Sequence, residues 1–251
     1  MGAGEIVAVA AAGLGAGAIN TLVGSGTLIT FPVLLAFGYA PVTANVSNTI
    51  GLVPGAVSGA FGYRRELAGQ RARARRLGAC SVLGGATGAV LLLVLPAAAF
   101  KAIVPAFIAA AVVLTLAQPR IARWLDRHRV RVDRHVAVLV PLAVYVTGVY
   151  GGYFGAAQGI LLLAVLGATL PQDLQRTNAL KNVLAGLVNG VAAVYFMIAA
   201  HVAWGPAGVI AASSIVGAQA GARFGRRLPA TALRAVIVVV GVFAIVRLLT
   251  E

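Results

Sequence analysis

Ten apolar runs, parted by charged or glycine-rich turns, fill this chain from end to end. The first five are Gly4 to Asn20, Thr27 to Phe37, Val42 to Phe61, Leu77 to Leu95 and Phe100 to Ala117. The second five are Val136 to Tyr150, Ile160 to Leu170, Asn178 to Ala200, Gly205 to Ala222 and Ala230 to Leu249. A helix needs ~20 apolar residues to cross a bilayer's hydrocarbon core. With 60% of 251 residues hydrophobic and only 10% charged, the solvent this sequence suits is lipid, and no length is left for a folded aqueous domain. The expected fold is an all-α polytopic membrane protein of about 8–10 membrane segments, some of them short broken helices, in a cytoplasmic (inner) membrane. The opening Met1 to Glu5 lacks a basic stretch before its apolar run, so no cleavable signal is expected.

The two sets of five resemble each other. Sliding the chain by 133 residues brings Gly15 onto Gly148, Gly26 onto Gly159, Asn45 onto Asn178, Ser81 onto Ser214 and Leu95-Pro96-Ala97 onto Leu228-Pro229-Ala230. Matched Asn, Ser, Pro and paired Gly in an Ala/Val-rich chain predict an internal duplication. The expected units are a first repeat over 1–118, a basic cytoplasmic linker over 119–135 and a second repeat over 136–251. Charge placement bears on their orientation. Six arginines lie in Arg64 to Arg76 and six in Arg120 to Arg134, which the positive-inside rule puts in the cytoplasm. In the second half the equivalent of the first basic loop, His201 to Trp204, has no formal charge, while the equivalent of the uncharged Pro96 turn holds Arg223, Arg226 and Arg227. Charge has changed sides, which favours inverted topology, with a parallel repeat as the alternative.

The net charge of +14 resides in these short loops, so it sets orientation and does not point to nucleic acid. The single Cys80 cannot form an internal disulfide. His128 and His135 fall in a basic loop and His201 at a span end, so no acid, base and nucleophile converge; the chain is not expected to be an enzyme, and no cofactor or metal site is expected.

Candidate chemistry gathers at two interruptions, Asn20 to Thr27 and Gly151 to Gly159. Glycine permits non-helical backbone there, and at membrane depth such backbone is tolerated only against protein or a water-filled cavity. A half-helix starting after each break points N–H groups and a positive dipole end inward. Asn20, Ser25, Gly26, Thr27, Gln158 and Gly159 are candidates on that basis. The third run of each half adds Asn45, Asn48 and Thr49, and Asn178, Lys181 and Asn182, each trio on one helical face. The spaced pairs Gly55/Gly59, Gly84/Gly88 and Gly217/Gly221 are read as packing seams.

Lys181 is the most informative of these. All six carboxylates, Glu5, Glu66, Asp126, Asp133, Asp173 and Glu251, lie at segment ends or in loops. A buried charge costs ~2.5 to 3.5 kcal/mol on insertion scales, so a cation carrier normally keeps a core carboxylate for use. One lysine with amide and hydroxyl donors suits an oxyanion instead. The other reading of Lys181 is an amine snorkelling to the interface beside Asp173 and Arg176.

At these residues the sequence resembles the TauE/SafE family of sulfite and organosulfonate exporters, also called TSUP permeases. The resemblance rests on Val23 to Pro32, Ala44 to Thr49, Gly62 to Leu67, Tyr150 to Gly155 and Leu174 to Asn182. It implies secondary transport of sulfite, sulfonates or related anions, sometimes carboxylated ones, across a bacterial inner membrane. Ala157-Gln158 departs from the expected glycines. The partners expected are thus a small anionic substrate and membrane lipid, with oligomeric state left open. An anion channel, an uptake permease for the same class of anions, and a membrane subunit needing an ATPase are the alternatives.

Overall fold

The computed structural model describes residues 1–127, 134–170, 172–224 and 230–250. Every apolar run is a helix: α1 (Ala3–Leu22), α2 (Thr27–Ala36), α3 (Pro41–Gly62), α4 (Arg71–Val94), α5 (Ala97–Arg127), α6 (Arg134–Tyr153), α7 (Gln158–Thr169), α8 (Leu174–Ala199), α9 (Trp204–Phe224) and α10 (Ala230–Thr250). Lipid cannot hydrogen-bond a peptide group, so a spanning segment is driven to make its bonds within itself. Among the described residues four helices, α1, α4, α5 and α8, are long and apolar enough to cross a membrane, with shorter apolar helices besides.

Two helices run past the apolar boundary read from sequence. The helix α4 starts at Arg71, not Leu77, and α5 continues through Pro119 to Arg127, so much of the basic sequence is helical. Arginine is a good helix former, and a helix continued by a turn or two carries its guanidinium to the headgroup layer. Six linker residues, 128–133, together with Arg226, Arg227 and the Leu228-Pro229 match, lie outside the described residues.

Polarity is arranged for lipid. Ile198 is 82% exposed and Val94 71%, whereas Lys181 and Asn48 are both 0% exposed. At the centre α3 packs on α8; α3 also packs on α9 and α4 on α8, while α1 lies on α9 and α6 on α4. Small residues permit these approaches. A Cβ on Gly84 or Gly88 would run into the carbonyls of Tyr145 or Val149 on α6, and one on Gly217 or Gly221 into those of Leu14 or Ala18 on α1. Gly55 meets Ser214 and Gly59 meets Thr21, so all three glycine pairs are seams between helices.

The chain ends of the helices fall on two faces. On the basic face, the Arg176 guanidinium donates to the Ala68 carbonyl at 2.8 Å, Gln70 Nε2 to the Arg176 carbonyl at 3.1 Å, and Arg73 to Gln172 Oε1 at 3.0 Å. These bonds bring the turn after α3 beside the turn before α8, where Asp173 caps α8 by accepting from the Arg176 N–H at 2.9 Å. On the opposite face Tyr39 donates to Glu5 at 2.7 Å, and the Ala203 N–H to Ser47 Oγ at 2.9 Å. Partial burial and the Glu5 carboxylate push the Tyr39 hydroxyl up to about 12, so it remains a neutral donor. Hence α3 and α8 cross the core in opposite directions.

Candidate functional site

Both interruptions end a helix in one way. The N–H groups of Val23 and Gly24 turn back to the Ile19 carbonyl at 2.7 and 3.0 Å, and those of Phe154 and Gly155 to the Tyr150 carbonyl at 2.9 and 3.1 Å. Gly24 and Gly155 take the left-handed conformation, φ 87° and 78°, which closes such a helix end. Ile19 and Tyr150 are 131 residues apart, not 133. The helix α7 has 12 residues and α2 has 10, which restores the larger spacing before Asn45 and Asn178. Gly26 therefore does not occupy the place of Gly159. Instead Gly24 and Gly159 touch backbone to backbone, the Gly159 N–H donating to the Gly24 carbonyl at 3.1 Å. The break is also narrower than the sequence suggested: Asn20 belongs to the last turn of α1, and Gln158 opens α7.

On the side of this contact nearer the basic face, an ended helix presents carbonyls that no later N–H reaches. Lys181 Nζ donates to the carbonyls of Asn20 at 3.0 Å and Thr21 at 3.3 Å. Asn178 and Asn182 Nδ2 also donate to the Thr21 carbonyl, at 3.1 and 3.2 Å. Lys181 is thus not snorkelling: it is fully buried, and it is the only charged side chain among the buried described residues. A cation at the negative end of α1 is favourably placed. It meets carbonyl dipoles, not a carboxylate.

On the other side, Asn48 joins α2 to α3. Thr30 donates to Asn48 Oδ1, and Asn48 Nδ2 to Thr27 Oγ1 at 3.3 Å. Asn45 Nδ2 donates to the Tyr153 carbonyl at 3.0 Å, the end of the other broken helix. Thr49 bonds only its own helix, at the Asn45 carbonyl. The structure therefore brings the candidates other than Thr49 to the two breaks, but in two groups divided by the Gly24–Gly159 contact. The N–H groups just after Gly26 and Gly159 serve the half-helices: Leu28 donates to Ser25 and Ile160 to Ala157.

Several polar atoms remain buried without a protein partner, among them Ser25 Oγ, Gln158 Nε2, Asn45 Oδ1 and Asn178 Oδ1. A cavity of about 160 Å³ reaches Asn178 from the basic face, between Leu22, Tyr63, Gln118, Leu163, Leu174 and Gln175. Gln118, whose Oε1 is likewise buried and unpartnered, was not found from sequence because it lies just past the end of the fifth apolar run, beside Pro119 and Arg120, where a loop is the expected reading. Toward the opposite face Phe31, Phe100, Phe107, Tyr150, Tyr153 and Phe154 form one aromatic cluster, with Phe31 edge-on to Phe154 at 5.3 Å. The second break carries strain as well. Ala157 takes φ 59° without being glycine, and Tyr150 fixes the segment by donating to the Ala156 carbonyl at 2.5 Å.

Paired broken helices meeting at a polar core inside an apolar bundle define a multi-pass helical membrane protein of the transporter class. The chain belongs to the sulfite exporter TauE/SafE family, whose profile matches residues 9–248. It is 26% identical over 221 residues to a "Probable membrane transporter protein" of Haemophilus influenzae, covering 88% of this chain and 85% of that one. To the "Probable membrane transporter protein YfcA" of Escherichia coli it is 24% identical over 236 residues, or 94% and 86% of the two chains. No solved structure matches it significantly.

Proposed function

We propose that this membrane transporter exports a small anion, sulfite or an organosulfonate, by alternating access between two inverted repeats, 1–118 and 136–251, joined by a cytoplasmic linker over 119–135. The observation that carries the reading is Lys181: a wholly buried cation held only by backbone carbonyls at the junction of both broken helices. An arriving oxyanion offers a better acceptor than a neutral carbonyl, because charge-assisted bonds are about twice as strong. Binding would draw Lys181, Asn178 and Asn182 off the α1 terminus and free that helix to move. Ser25 and Gln158 supply further donors, and Asn45, Asn48, Thr27 and Thr49 line the outward half of the route.

The repeat proposal is supported by the packing. Exchanging α1 with α6, α4 with α9 and α3 with α8 turns each main contact into another: α1 on α9 becomes α6 on α4, and α3 on α9 becomes α8 on α4. The cavity at Asn178 on the basic face and the aromatic cluster on the other fit a state open toward the cytoplasm. An inside-negative potential contributes about 2.3 kcal/mol per charge per 100 mV to moving an anion outward. Export therefore needs no coupled ion.

The test is efflux from proteoliposomes loaded with sulfite, sulfoacetate or sodium alone, with the potential imposed by potassium and valinomycin. The expected result is protein-dependent efflux of one of the anions, accelerated by an inside-negative potential. Efflux of sodium with no anion flux would overturn the reading.

A further inference from the structure

A second basic feature lies apart from the breaks. Arg73 and Arg76 stand three residues apart on the first turns of α4, on one face of the helix, and both are exposed. Below them is a cavity of about 320 Å³, walled by Ala72 and Leu77 of α4, Val140 and Pro141 of α6, and Thr169 and Leu170 at the end of α7. Its mouth is cationic and its floor apolar. No carboxylate is among the described residues that line it. Arg73 is anchored over the mouth by donating to Gln172 Oε1 at 3.0 Å, a bond that uses one of its five N–H donors. The apolar part of α4 begins at Leu77, so the two guanidinium groups stand at the depth of lipid headgroups and the cavity floor at the depth of acyl chains.

We propose that this cavity is a binding site for one anionic phospholipid, its phosphodiester between Arg73 and Arg76 and an acyl chain along Leu77, Val140 and Leu170. Planar guanidinium groups bind phosphate oxygens through paired N–H donors. The apolar walls distinguish a lipid from a free phosphate, and the two cations distinguish an anionic lipid from a zwitterionic one. The lipid would tie α4 to α6 and to the end of α7, the half-helix of the second break.

Native mass spectrometry of the full chain in detergent, titrated with phosphatidylglycerol or phosphatidylcholine, tests the site. The expected result is retention of phosphatidylglycerol over phosphatidylcholine, weakened about tenfold in R73Q/R76Q and in part by each single variant. R223Q, which removes a charge from the last turn of α9, should retain it as the parent does. The single variants keep the reading available if the double variant does not fold. Equal retention of the two lipids, unchanged phosphatidylglycerol binding in R76Q and R73Q, or displacement of the lipid by millimolar inorganic phosphate would each overturn the proposal.

Discussion

Replacing Lys181 with methionine separates the two things this lysine does, because the side chains are similar in length and only the charged end is lost. In the structure Nζ serves the Asn20 and Thr21 carbonyls. Thr21 keeps two other donors, from Asn178 and Asn182, so the substitution strips only the Asn20 carbonyl of its side-chain partner. An unpaired buried acceptor costs about 1–3 kcal/mol. Against this, the fold no longer buries a charge in the membrane, a saving of about 2.5–3.5 kcal/mol on insertion scales. The balance favours the variant, and K181M should unfold at or above the temperature of the parent in detergent. Transport goes the other way. Loss of a charge-assisted bond to the substrate, about 1.5–3 kcal/mol, weakens anion binding by about tenfold to a hundredfold. The assay pairs thermal unfolding with concentration-dependent anion efflux from proteoliposomes. Parent-like affinity in K181M would reduce Lys181 to a helix cap, and a large drop in unfolding temperature would show that capping outweighs desolvation; either result refutes the reasoning.

Three further substitutions probe the breaks. At Gly159 an added methyl would meet the Gly24 backbone, which no side-chain rotation can relieve, so G159A should lower stability by about 1–3 kcal/mol in thermal unfolding, and an unchanged melting point would deny the contact. A157G should raise stability by about 1 kcal/mol by removing a left-handed alanine; destabilisation would mean that the methyl group's packing matters more than its strain. N48L leaves Thr27 and Thr30 without their amide partner and should cost about 1–3 kcal/mol, read as reduced yield of folded protein, whereas parent-like yield would remove Asn48 from the group of residues joining α2 to α3.

Apolar run length was sufficient to place the helices, because lipid offers backbone no other partner. Where the charged ends began it misled, since hydropathy drops at Arg71 and after Ala117 although the backbone of α4 and α5 continues. Lys181 was legible as an anomaly: one cation inside the apolar run Asn178 to Ala200, which holds no acid. What it touches was not. Its partners are carbonyls 160 and 161 residues away, and a carbonyl has no signature in sequence. Gln118 was missed for a related reason, as it matters only through the cavity that α1, α7, α8 and the turn after α3 form with it.

Composition and periodicity thus determined the solvent, the helices and the positions where helix must stop, all of which depend on a residue's near neighbours and on water's absence. The three-dimensional arrangement decided that Gly24 abuts Gly159, that the amide and ammonium donors rest on the end of α1, and that a cavity on one face is matched by an aromatic cluster on the other. Those outcomes depend on how two separated stretches of chain meet. A two-residue difference between α2 and α7 is enough to change which backbone atoms are opposed.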